Sequence, residues 1–336
     1  MDTDEGVFGA TELHKGDSVA DEVRRRFGLF LGHDPLMTER LWQVMWEVDR
    51  VEEFAIHTTS LLDLLSWDVT SKVAGLSVHR MAGGHRSRIP AYASTVTWDT
   101  VAEYERNIKQ CMDVGFTAFK LHAWGEPRED AELARMLRRW AGPDATLMFD
   151  ASAGWDYVTA LEFGRVLEDE RYLWYEEPMR EFHLGPYRRL CQDLDIAVLA
   201  AETSDGAHWN VATWIEAGAV DMVRTSCDMK AGLTGALRVA HTADSFGMRA
   251  QVHGMGPANA QLCAAIPNND YYEQLVMNES QIRGLASLEG LPIVDGHLDV
   301  PDEPGLGHRF DWERIDDLAL TRIDVTADGV TERRRR

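Results

Sequence analysis

The chain has 336 residues, 45% of them apolar, enough for one large domain or a large domain with a smaller one attached. Lys and Arg number 34 against 56 Asp and Glu, and the formal charge of −22 argues against nucleic acid or an anionic membrane as the main partner. No run approaches the roughly 18 to 20 apolar residues of a membrane span, and the opening MDTDEG lacks the basic and apolar regions of a signal peptide. Cys111, Cys191, Cys227 and Cys263 lie far apart without paired spacing, which predicts reduced thiols in a cytoplasmic protein.

Residues 1–90 open on a Gly-containing stretch, DEGVFGATEL, and continue as mostly helical sequence through RLWQVMWEVDRVEEFAIHTTSLLDLLSWDVTSKVAG. From about residue 90 a unit repeats: a short apolar strand, a polar or Gly-containing loop, then an amphipathic helix. The predicted strands are Ala91–Ser94, Phe116–Leu121, Thr146–Asp150, Tyr172–Glu176, Ala197–Glu202, Val220–Thr225, Arg249–His253 and Tyr271–Leu275. Between them lie stretches such as EDAELARMLRRWAG and YVTALEFGRVLEDE, apolar every three to four positions. Strands alternating with helices imply parallel pairing, and eight of them suggest a closed barrel over 91–285. Beyond about residue 285 strand and turn residues return (LPIVDGHLDVPDEPGLG), so 1–90 and 286–336 together predict a small capping domain built from both chain ends. The final RRRR reads as a solvated tail.

The strand ends carry the chemistry. Asp150, Glu176 and Glu202 each close an apolar strand, at equal intervals of 26 residues. In a parallel barrel the strand C-termini meet on one face, so three carboxylates would share a small volume and protonate unless a cation intervenes. Equal spacing at successive strand ends favours a shared cation over three unrelated salt-bridged acids, and Mg²⁺ suits carboxylates that leave positions for water and substrate. Strand two closes on Lys120-Leu121-His122, strand seven on His253, and strand eight carries Glu273. This places Lys120 and His122 on one side of the cation and His253 and Glu273 on the other, a proton-transfer arrangement.

These motifs, in this order, resemble the enolase superfamily and its mandelate racemase-like branch. The likeness covers about residues 5–310 and rests on LLDLLSWDVTSKVAGLSVHRMAGG, FKLHAW, LMFDASAGW, YLWYEEPM, LAAETSDG, KAGLTGALRVAHTADSFGM, VHGMGPANAQLCAAIPN and VPDEPGLG. The resemblance implies a (β/α)7β TIM-like barrel with an α+β capping domain. It also implies abstraction of a proton α to a carboxylate, with Mg²⁺ stabilising the enediolate. By position Asp150, Glu176 and Glu202 match the metal ligands, His253 a general base or acid, and Glu273 a group that binds a substrate carboxylate oxygen. Glu177, the second acid of YLWYEEP, is expected to point elsewhere, towards a supporting contact or a basic residue.

Three departures from the branch stand out. Lys120-x-His122 replaces Lys-x-Lys, so Lys120 is expected to offset carboxylate charge while His122, with an imidazole near pKa 6.5, replaces the lysine base. Alignment through GLTG puts Ser226 where the branch places an Asp partner for the strand-seven His, with Asp228 two residues on as a possible relocated partner. The chain also opens inside what is normally the capping-domain sheet, so an initial strand of that pattern is expected to be absent.

Substrate-contact candidates are His14, Lys15, Asp49, Arg50 and Glu53 in the capping segments, and Ser152, Thr203, Asp205, His208, Ser226, Asp228 and Asn259 beside the strand ends. Such polar company suits a polyhydroxylated ligand, so dehydration of a sugar acid to a 2-keto-3-deoxy acid is the favoured expectation. Racemisation or epimerisation, and a catalytically silent metal-binding scaffold, are the alternatives. A small carboxylate partner and an assembly of identical subunits complete the expectation.

Overall fold

The computed structural model describes residues 1–52, 56–287 and 291–335. Glu53 lies outside the described residues. Helices α1 (Gly16–Arg26), α2 (Thr38–Glu52), α3 (Ile56–Ala74) and α4 (Val78–Met81) precede the barrel. The barrel alternates β1 (Arg88–Thr95), α5 (Val101–Asp113), β2 (Ala118–His122), α6 (Pro127–Ala141), β3 (Thr146–Asp150), α7 (Tyr157–Asp169), β4 (Trp174–Glu176) and α8 (Leu184–Asp193). It continues with β5 (Ala197–Ala200), α9 (Ala207–Glu216), β6 (Met222–Thr225), α10 (Gly232–Ser245), β7 (Arg249–Val252), α11 (Pro257–Ala265), β8 (Tyr272–Val276) and α12 (Glu279–Gly284). The remainder forms β9 (Ile293–Val294), β10 (His297–Asp299), α13 (Trp312–Leu318), β11 (Thr321–Thr326) and β12 (Gly329–Arg334).

Local chemistry explains the repeat. Thr100 and Glu103 close a reciprocal capping box on α5, Pro127 opens α6, and the Asp156 side chain accepts from the Thr159 N–H to start α7. All neighbouring strands from β8 through β1 to β7 pair in parallel. Closure between β7 and β8 differs: Ala250 N–H donates to Asn268 O (2.9 Å) and Val252 N–H to the Asn269 side chain (3.0 Å), in place of a named ladder.

Side-chain alternation then sorts each strand by height. Tyr92, Ala118, Met148, Trp174 and Leu199 pack together as a plug across the barrel interior. Two residues further along the same strands come Ser94, Lys120, Asp150 and Glu176, facing the mouth formed by the strand C-termini. A larger apolar core fills the space between sheet and helices, including Leu121, Phe149, Phe163, Tyr175, Val198 and Val223.

Helix α3 ties the capping layer to α10. Gly232 (φ +85°) has no room for a side chain, because a Cβ would lie 2.2 Å from Asp63 Oδ2, and a Cβ on Gly235 would lie 1.7 Å from Lys230 O. Those two close approaches account for the glycines of GLTG.

Strand pairing defines the chain ends. The β9–β10 hairpin joins the barrel sheet, because β10 pairs antiparallel with the start of β1 (Arg88 to Pro90). Arg333 and Arg334 are not a free tail: they lie in β12, which pairs with β11, and ion-pair with Asp324 (3.0 Å) and Glu332 (2.6 Å). Asp324 on β11 and Glu332 on β12 itself give the basic run a reason to be a strand. The four cysteines form no disulfide, and no helix among the described residues is long and apolar enough to cross a membrane.

Candidate active site

The mouth of the barrel concentrates charge, and Lys120, Glu176 and Arg224 within it are fully out of solvent. Lys120 sends its ammonium to Glu176 Oε2 (3.0 Å), Glu273 Oε1 (3.0 Å) and Asp150 Oδ2 (3.3 Å). Arg224, reaching up from β6, grips Glu176 with two donors, Nε to Oε1 (2.5 Å) and Nη2 to Oε2 (2.9 Å). Its remaining donors meet Tyr92 Oη (3.0 Å) and Val252 O (3.0 Å), and it lies 3.7 Å from Glu202 and 3.6 Å from Glu273. Trp174 Nε1 adds a further donor to Glu176 Oε2 (3.2 Å). Burial opposes the charge on Lys120, yet Glu176 and Glu273 outweigh it and hold the ammonium well above its ordinary range.

Two imidazoles stand on different walls. His122 Nδ1 lies 2.7 Å from Thr95 O, which orients the ring, and Nε2 lies 3.0 Å from Asp150 Oδ2. His253 Nδ1 lies 3.0 Å from Glu202 Oε2 and 3.6 Å from Glu273 Oε2. These are ion-pair distances; the angle at His253 does not meet hydrogen-bond geometry. Burial opposes charge on both rings, but the adjacent carboxylates prevail, raising His122 and taking His253 up to about 9.

Glu177, held at φ 39°, turns away from Glu176 and accepts the Glu202 N–H at 3.0 Å. Its carboxyl hydrogen-bonds Glu181; burial, with Glu202 and Glu181 adding to it, pushes it up to about 11. Lys230 bridges two loops here, donating to Ser204 O at 2.9 Å while facing the charges of Glu181, Glu202, Glu177 and Asp205.

The β6–α10 turn is clamped by the capping layer. Trp42 Nε1 donates to Ala231 O (2.8 Å), Ser60 Oγ to Asp228 O (3.0 Å), and the Gly232 N–H to Ser60 Oγ (3.0 Å). Asp63 accepts from Thr234 through its N–H (3.0 Å) and Oγ1 (2.6 Å), and Trp67 Nε1 donates to Thr234 Oγ1 (2.9 Å). Ser60, Asp63 and Trp67 recur at helical spacing and so share one face of α3.

The structure separates the sequence candidates. Asp150, Glu176, Glu202, Lys120, His122, His253 and Glu273 converge at the mouth. Lys120 and Glu273 are not on opposite sides, however: β8 and β2 both flank β1, so the two side chains meet. Ser226 accepts the Met229 N–H (3.0 Å) and so serves its own turn. Asp228, past the end of β6, accepts from Asn259 and lies in the fields of His14 and His253; burial raises its carboxyl against both. His14 and Lys15 are exposed. Ser152 donates its N–H to Asp150 Oδ1 (2.8 Å), and Thr203 Oγ1 donates to Glu181. Asp205 accepts the Gly206 N–H (2.9 Å), while His208 packs among Trp42 and Trp209. Asp49 and Arg50 lie on α2, and Asn259 Oδ1 accepts the Cys227 N–H (2.9 Å).

Sequence reasoning missed Arg224, Lys230 and Ser94. Arg224 is two residues before Ser226, so strand parity already placed it inside the barrel, where an arginine demands carboxylates. Ser94 is in register with Lys120, and its buried hydroxyl has no partner among the described residues. Among those residues, donor atoms of Glu176, Glu202 and His253 lie within 4.8 Å of one another, a set able to hold a metal ion.

The family model for enolase C-terminal domain-like proteins matches residues 103–314. The arabinonate dehydratase of Saccharolobus solfataricus is 26% identical over 324 residues, covering 92% of this chain and 86% of the relative. A D-glucarate dehydratase from Agrobacterium tumefaciens, solved in complex with magnesium, superposes with a TM-score of 0.88 at 32% identity, covering 94% of this chain and 88% of the other. A racemase from Streptomyces coelicolor with bound magnesium gives 0.84 at 25% identity, covering 94% and 89%.

Proposed function

The chain belongs to the enolase superfamily, and from that premise we propose that it removes the proton α to a carboxylate and dehydrates a sugar acid to a 2-keto-3-deoxy acid. The observation that carries this reading is the pairing of two imidazoles on different walls with a buried set of carboxylates between them. Dehydration needs both: one group takes a carbon-bound proton, another protonates the departing β-hydroxyl.

Asp150, Glu176 and Glu202 would hold Mg²⁺. Their oxygen donors suit a hard cation, and the closeness of Glu176 and Glu202 donor atoms fits such an ion. When bound, the ion supplies Lewis-acid stabilisation of negative charge on the substrate carboxylate. Lys120 keeps the neighbouring acids ionised and offers a fixed positive charge to the enediolate. His122, its ring fixed by Thr95 O, takes the α-proton; His253 gives a proton to the β-hydroxyl, which leaves as water, and the enol then tautomerises to the 2-keto acid. Glu273, fixed by the Gly254 N–H at 2.7 Å and by Lys120, borders the substrate carboxylate. Asp228, His14, Ser152, Thr203, Asp205 and Lys15 are assigned to substrate contact at the rim on this reading. A cytoplasmic setting and assembly from identical subunits belong to the same proposal; sedimentation reads the latter.

Racemisation is the second reading, favoured by the same two imidazoles, which can exchange a proton on either face without a leaving group. The deciding experiment screens sugar acids with the Mg²⁺-loaded protein in D₂O. A 2-keto product supports dehydration, and deuterium incorporation with inversion but no keto product supports racemisation. Absence of both across the panel leaves only a metal-binding scaffold.

A further inference from the structure

We infer that Arg224 sets the charge of the metal centre, matching the buried acids to a divalent rather than a trivalent ion. The inference rests on the metal reading above and adds a residue to it. Asp150, Glu176, Glu202 and Glu273 carry four negative charges into the mouth, and Lys120 and Arg224 are the two fixed cations that touch them among the described residues. The balance is two negative charges, which one divalent ion cancels. The imidazoles stand outside this count, because a proton-transferring group must be able to lose its charge. Glu177 turns away from this set to accept the Glu202 N–H, and Lys230 stands beside that loop on Ser204 O.

Arg224 is built for this role. It is fully buried, anchored below the acids by Tyr92 Oη and Val252 O, and donates twice to Glu176 while standing 3.7 Å from Glu202. A guanidinium stays charged at any working pH, so the count it sets does not titrate away. Without it the acids would carry one more negative charge at close range, and an ion of charge three would gain half as much again as one of charge two.

The test is competition between Tb³⁺ and Mg²⁺, read by terbium emission excited through Trp174, whose indole touches Glu176. Arg224→Gln should shift the ratio of Tb³⁺ to Mg²⁺ affinities towards terbium by about tenfold or more, and Arg224→Lys should stay within about threefold of the parent. All proteins are purified and kept folded with Mg²⁺, so a metal-free form that unfolds does not obscure the result. An unchanged ratio in Arg224→Gln overturns the inference, as does an equal shift in Arg224→Lys, which would assign the effect to the two-pronged grip. If Mg²⁺ fails to compete with Tb³⁺ in the parent, the metal reading itself fails, and that outcome is visible before any variant is made.

Discussion

At the barrel mouth Glu176 receives two donors from Arg224 and one each from Lys120 and Trp174. Under the capping layer Asp63, equally buried, meets the Thr234 N–H and hydroxyl and, among the described residues, no cation. The two regions bury a carboxylate by opposite means. Cations surround the first set and hold Asp150, Glu202 and Glu273 below their ordinary range, although burial still raises Glu176 itself; neutral donors surround the second, and burial takes Asp63 up to about 7. A protein that needs carboxylates as ligands keeps them ionised with cations, whereas one that needs only a clamp can let the acid go neutral.

The sharpest way to break that contrast is at the mouth. Asp150→Asn or Glu202→Gln should cost activity by about 10³-fold or more while circular dichroism stays native, because each removes a charge that Lewis-acid catalysis depends on. Lys120→Met leaves three carboxylates without their shared ammonium, and chemical denaturation should show a loss of about 3 kcal/mol. His253→Asn should lower formation of the keto product by about 10²-fold while α-proton exchange through His122 persists, a split that NMR in D₂O resolves.

On the other side of the contrast, Asp63→Asn tests the neutral clamp. A carboxyl raised from its ordinary 3.8 to about 7 contributes stability in full below about pH 4 and loses it as pH rises through 7. The parent should therefore lose stability relative to Asp63→Asn between pH 4 and pH 8, and the two melting curves should run parallel above pH 8. Trp42→Phe, which removes one hydrogen bond to Ala231 O, should cost only about 1 kcal/mol and serves as the small reference effect.

How much of this was legible in the sequence depends on where a residue's partners lie. The eight strands followed from apolar runs and turn residues, and Asp150, Glu176, Glu202, Lys120, His122 and His253 followed from their positions at strand ends. Boundaries slipped where apolar residues continue past the ladder: Val220 and Tyr172 are buried outside the strands they were expected to start. Asp63 was invisible because its partner, Thr234, is 171 residues away and arrives only when α3 docks on α10. The contact between Lys120 and Glu273 was hidden for a related reason: barrel closure makes the second and eighth strands near neighbours across β1. Arg224 was readable from parity alone and was overlooked because an arginine inside an apolar strand looks like a surface residue until the strand's interior face is fixed.

The join between β7 and β8 gives the barrel one wall unlike the others. Its contacts run through a loop carbonyl, the Asn269 amide and the Glu273 carboxylate, and not through successive ladder bonds. Such a boundary can part locally without unzipping a register, so amide exchange along it should report sub-global opening earlier than exchange across β2–β3. His253 rides on one bank, its N–H tied back to Thr225 O at 2.8 Å, and Glu273 on the other. Breathing of that fissure is therefore a change in the gap between an imidazole and a carboxylate, which stand 3.6 Å apart across it.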